Sequence, residues 1–109
     1  MKPQLSENLE RYFAAQNAHD AEAMTACFAS DARVRDEGHD YVGRDAIREW
    51  KRATIAKYGI SIEPLEITQK DGGIVITARV SGNFPGSPAN LTYSFALAPD
   101  GLIRMLEIQ

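Results

Sequence analysis

The hydrophobic pattern of the chain changes period once, near Ile60, and that change limits the possible folds more than any other feature. Upstream, apolar residues recur every three or four positions, as on one face of a helix; downstream they alternate, as on one face of a strand. At 109 residues the chain has the size of one domain. Helical and strand halves therefore share one core, and segregated helices and strands make an α+β domain rather than an alternating α/β one.

Residues 5–18 (LSENLERYFAAQNA) place Leu5, Leu9, Tyr12, Phe13 and Gln16 on one helical face. His19-Asp20 ends that run, and Asp20 suits an N-cap because its carboxylate accepts from an unpaired backbone N–H. A second helix is expected over 21–29, with Met24, Cys27 and Phe28 as its apolar stripe. Residues 32–36 (ARVRD) alternate like a short strand, and EGHDYVGRD reads as a loop. The spacing predicts a third helix over 44–58, with Ile47, Trp50, Ile55 and Tyr58 inward and Lys51, Arg52 and Lys57 on the remaining surface. Gly59 is a natural terminator for it.

Strands are expected over 60–70, 74–84, 89–98 and 102–109, with Pro64 marking a bulge or an edge. Asp71-Gly72-Gly73, Pro85–Pro88 and Pro99-Asp100-Gly101 supply the turns of a meander. Alternation puts Leu91, Tyr93, Phe95 and Leu97 on one face of the third of these strands, and Leu102, Arg104, Leu106 and Ile108 on one face of the last. The three helices are the available cover for those faces.

With 12 basic and 15 acidic side chains, the net charge of −3 offers no footprint for nucleic acid or an anionic membrane. No stretch approaches the ~18 apolar residues of a transmembrane helix, and MKPQLSENLERYF lacks the apolar stretch of a signal peptide. A lone cysteine excludes an internal disulfide, so a cytoplasmic domain is expected. His19, His39 and Cys27 do not fall in metal-ligand spacing, and neither a phosphate loop nor a Gly-x-Ser-x-Gly elbow is present, so no metal or cofactor is expected.

Among the acids Asp36 stands apart, since it shares a strand face with Val34. A carboxyl at the mouth of an apolar cavity has its pKa raised by desolvation and suits a general base; a loop-capping role is the alternative. Tyr12 and Tyr93 fall on apolar stripes, where each is a core aromatic or an oxyanion donor. The cavity walls expected from the pattern are Phe28, Trp50, Phe95 and Leu106. His39 lies in a loop that could border the cavity, and Arg104 on an apolar face needs a partner or a route to solvent. Cys27 reads as a core residue.

The segment RYFAAQNAHDAEAMTACFASDARVRDEGHDYVGRDAIREW resembles the SnoaL-like and ketosteroid isomerase-like proteins of the nuclear transport factor 2-like superfamily. The shared pattern is helix, His-Asp, helix, Phe-Ala-x-Asp-Ala, strand, Asp, a short loop and Gly-Arg-x-Ala-Ile-Arg. The resemblance implies a cone-shaped α+β barrel, with three helices packed on a strongly curved, mostly antiparallel sheet around an apolar cavity. It places the proton-shuttling base at Asp36 and the oxyanion tyrosine at Tyr12. Tyr93 falls where the isomerases carry a second, neutral carboxylic acid, and a phenol also donates a hydrogen bond. Supporting tyrosines of the isomerase network are replaced by Phe28 and Lys51, and the proline after the base by Glu37. Arg104 compares loosely with a strand residue of the related cyclases.

Three readings follow from the sequence. The first is an enzyme that moves a proton next to a carbonyl of a small apolar, polyketide- or steroid-like substrate. The second is a non-catalytic domain that binds an apolar ligand, and the third a dimerisation module with its cavity packed shut. The mixed outer sheet face, with Thr77, Arg79, Ser81 and Asn83, suits the sheet-to-sheet homodimers that the resemblance implies.

Overall fold

The computed structural model describes residues 5–70 and 72–109. Asp71, expected in a hairpin turn, and residues 1–4 of the N-terminal stretch lie outside the described residues. The elements are α1 (Glu7–Asn17), α2 (Ala21–Ala26), β1 (Phe28–Asp36), β2 (His39–Val42), α3 (Arg44–Tyr58), β3 (Ser61–Lys70), β4 (Gly73–Ser81), β5 (Ala89–Leu97) and β6 (Ile103–Ile108).

Local chemistry sets the helix ends. Ser6 caps α1 by accepting from the Leu9 backbone N–H, and Asp20 caps α2 by accepting from that of Ala23. Both caps satisfy donors that a first helical turn leaves unpaired. Gly59 closes α3 in the left-handed conformation, at φ 57°, where a Cβ would be strained. The inward faces of α1 and α3 bury Leu9, Tyr12, Phe13, Ile47 and Trp50. No helix among the described residues is long and apolar enough to cross a membrane.

The six strands form one sheet in the order β2-β1-β6-β5-β4-β3. Every neighbouring pair is antiparallel except β1 and β6, which run parallel. The expected meander is therefore β3 to β6, but the sheet stays open between β2 and β3 rather than closing into a barrel. At the β3 edge, Asn17 replaces a neighbouring strand: its side-chain amide donates to the Ile62 carbonyl at 3.0 Å and accepts from the Ile62 N–H at 2.7 Å.

Three local expectations change. The second helix stops at Ala26, and Phe28 opens β1 instead of closing α2. The expected loop after Asp36 is a hairpin, because Glu37 and Gly38 both take positive φ (53° and 78°), as a tight two-residue turn requires. Arg104 does not share a face with Leu106: β6 pairs Ile103 with Leu97 and Met105 with Ala96, leaving Arg104 at a register shift, exposed.

Candidate active site

The hairpin at Glu37-Gly38 makes Asp36 the last residue of β1, on the inward side that Ala32 and Val34 share. Across the sheet Asp36 pairs with Ile108, Ile108 with Tyr93, and Tyr93 with Ile76. Asp36 and Tyr93 thus sit in one row with β6 between their strands, their backbones about 10 Å from each other at the usual strand spacing. A ligand of a few rings spans that distance.

The helices add the group that sequence reasoning missed. Lys51 is only 3% exposed. Its Nζ stands 2.5 Å from the Tyr12 hydroxyl and donates to Gln16 Oε1 at 3.2 Å. It also lies over the Trp50 ring, 4.2 Å from the centroid, and 4.7 Å from that of Tyr12. Trp50 is held in turn by stacking on Tyr41 of β2, at 5.3 Å and 21°. Gln16 joins the cluster to the residue just before β3 by donating to the Ile60 carbonyl.

Burial and charge set the protonation states. Burial lowers the Lys51 amine to about 7, while the Asp36 charge acts in the opposite direction. Burial also lifts the Asp36 carboxyl above its usual range, and Glu37 pushes the same way; Lys51, the Trp50 indole and the Glu37 backbone hold it down. The Tyr12 and Tyr93 phenols are both pushed well up, first by burial. At neutral pH they remain hydrogen-bond donors. The Asp36 charge acts on Tyr12, Tyr93 and Lys51 alike, so the four form one electrostatic unit.

These groups surround a cavity of about 900 Å3, within the range of small-molecule sites. Asp36, Tyr93, Lys51, Gln16, Trp50 and Tyr41 line it, with Tyr58, Ile60, Phe84, Leu91 and Ile108 adding apolar wall. Tyr12 is fully buried behind Lys51 and reaches the site through that hydrogen bond. Phe28, Phe95 and Leu106, expected on the wall, belong to the packed core instead. Phe28 and Phe95 meet the Tyr12 ring edge-on, with centroids 5.7 and 5.8 Å away, and so hold the phenol in place. Phe95 and Leu106 are core because the inward row of Val34, Leu106 and Phe95 lies one step down the sheet from the row of Asp36 and Tyr93. His39 and Arg104 are exposed and do not line the cavity. Cys27 is buried in the core.

Lys51 had a signal in the sequence. It falls four residues after Ile47 and four before Ile55, on the stripe that faces the core. Tyr41 had none, since its inward position depends on the β1–β2 hairpin.

The sequence profile of the SnoaL-like domain matches residues 9–103. The chain belongs to the SnoaL-like family. No curated protein sequence matches it. Among solved structures, a Sinorhizobium meliloti protein to which a polyketide cyclase role is attributed shares 43% identity with this SnoaL-like chain. It superposes with a TM-score of 0.90 over 96% of this chain and 95% of its own. An epoxide hydrolase/cyclase-like enzyme of pyran ring formation in salinomycin is 21% identical, with a TM-score of 0.82 over 94% and 86% of the two chains. A protein with a ketosteroid isomerase-like fold from Catenulispora acidiphila, solved with trimethylamine, is 19% identical, with a TM-score of 0.84 over 97% and 86%. At those two identities the likeness is one of fold. SnoaL-like and ketosteroid isomerase-like chains share this architecture of three helices on a curved, mostly antiparallel sheet, here left open.

Proposed function

We propose that this SnoaL-like protein is an enzyme that moves a proton next to a carbonyl of a small, largely apolar, polyketide- or steroid-like compound. Asp36 is the base, Tyr93 and the Lys51–Tyr12 pair stabilise the developing oxyanion, and Trp50 and Tyr41 hold the ring system. The observation that carries this reading is the convergence on one cavity of the Asp36 carboxyl with its raised pKa, the buried Lys51 amine and the protonated Tyr93 phenol, with Tyr12 hydrogen-bonded behind Lys51. Base and oxyanion donors are the two parts that enolisation needs. An open cavity and the polyketide cyclase role attributed to the 43% identical relative favour this reading over a domain packed shut.

The test is exchange of the proton next to the carbonyl in small cyclic enones and β-keto compounds. General-base catalysis contributes roughly 10²–10⁴-fold, so Asp36→Asn lowers the exchange rate by about that factor with little change in binding. Equal rates in the two proteins leave a binding domain as the better reading. A homodimer through the outer sheet face is part of the proposal. Exposed Val42 and Met105 flank Arg33 there, paired with it across the sheet, and sedimentation showing a monomer at micromolar concentration removes that element.

A further inference from the structure

We infer that Lys51 is a nucleophilic amine that condenses with the carbonyl of the bound compound, so that Asp36 acts on a covalent imine rather than on the free ketone. The inference rests on the reading of the ligand as a carbonyl compound and specifies the chemistry of that same site.

The surroundings of Lys51 support it. Structural buried lysines are normally paired with a carboxylate. Among the described residues no carboxylate oxygen lies within 4.0 Å of this amine. Its near partners are a phenol, an amide oxygen and two aromatic faces. None of them carries a negative charge, so none holds the amine in its ammonium form as a carboxylate would, and the Tyr12 hydroxyl donates to Nζ once it has lost a proton. An amine titrating near 7 is about half neutral at physiological pH. Lys57, the other lysine along the cavity, is exposed, with its ammonium over the Tyr58 ring.

The step balances without a redox partner. The Nζ lone pair attacks the carbonyl carbon, and the C=O π electrons move to oxygen. One amine proton passes to that oxygen to give a carbinolamine; the C–O bond then breaks, and the oxygen leaves as water with the second amine proton. The Asp36 carboxyl protonates the imine nitrogen, and its carboxylate then takes a proton from the adjacent carbon. The C–H electrons form the enamine double bond, and the C=N π electrons return to nitrogen.

Two probes test this. Acetylacetone, a 1,3-diketone, traps an activated lysine as a conjugated enaminone with its own ultraviolet absorption, and cyclohexenone with sodium cyanoborohydride reduces any imine to a stable amine. The expected result is one adduct per chain, mapped by peptide mass spectrometry to Lys51, and its loss in Lys51→Arg, which removes the nucleophilic amine and keeps a positive charge. No adduct in the wild type, or labelling spread over the other lysines and undiminished in Lys51→Arg, overturns the inference. The wild-type mapping stands even if the variant is unstable. Proton exchange in the same proteins separates the two levels. Exchange that survives in Lys51→Arg but is lost in Asp36→Asn leaves proton transfer standing and removes the imine. An adduct at Lys51 with exchange unchanged in Asp36→Asn does the reverse.

Discussion

Lys51→Met replaces the buried amine with an apolar side chain of nearly the same length, so it tests the electrostatics of the cavity while leaving its packing close to intact. Burial takes the amine from 10.5 in a free lysine to about 7 in the folded protein. Each unit is about 1.4 kcal/mol, so holding the charge inside costs about 5 kcal/mol at pH values below 7. Against this, the variant leaves the Tyr12 hydroxyl and the Gln16 carbonyl without their shared partner, a loss of about 1–3 kcal/mol. The net expectation is a variant more stable than the wild type by about 2–4 kcal/mol at pH 6. The sign follows from proton counting. Between pH 7 and 10.5 the unfolded chain holds a proton on Lys51 that the folded chain has released, so wild-type stability rises with pH across that window. The variant lacks this slope, and its advantage shrinks as the pH approaches 10.5. Cys27, whose thiol burial raises, titrates in both proteins and cancels in the difference. Urea unfolding of both proteins at pH 6, 7.5 and 9 measures the effect. Parallel stabilities across that range, or a variant less stable at pH 6, would show that Lys51 carries no desolvation cost in the fold.

Two further outcomes concern the scaffold that holds the site. Asn17→Ala removes both hydrogen bonds between α1 and the Ile62 backbone at the edge of β3; a loss of about 1–3 kcal/mol in urea unfolding is expected, and an unchanged midpoint would mean that water replaces the amide. Gly82→Ala puts a Cβ 2.8 Å from the Tyr58 carbonyl oxygen and 3.3 Å from the Phe84 ring. That oxygen also accepts from the Asn83 N–H, so it cannot retreat freely. A loss of about 1–3 kcal/mol from overpacking and weaker ligand binding should appear together, since Tyr58 and Phe84 both line the cavity; a variant with wild-type melting and binding refutes the close packing.

The sequence by itself determined the elements whose causes are local. Apolar spacing and the glycines at either end mark α3 over 44–58, Asp20 marks the start of α2, and period-2 alternation with Pro-Asp-Gly marks the final turn. It also determined the inward parity of Asp36 and Tyr93, because a strand's two faces alternate whatever it pairs with. Tertiary structure decided what depends on partners far along the chain. The parallel pairing of β1 with β6 aligns Asp36 with Ile108 and through it with Tyr93, and nothing within either strand specifies that register. The β1–β2 hairpin brings Tyr41 against Trp50, although His-Asp-Tyr-Val has too short an alternation to announce a strand. Lys51 shows the division most clearly. Its place on the core-facing stripe of α3 is written in the spacing, yet a lysine at such a position ordinarily extends its ammonium to water. Here α1 closes over it, and the Tyr12 hydroxyl and Gln16 carbonyl take the place of solvent. Only the packing of two helices on one sheet could turn that surface-type residue into a buried amine facing Asp36.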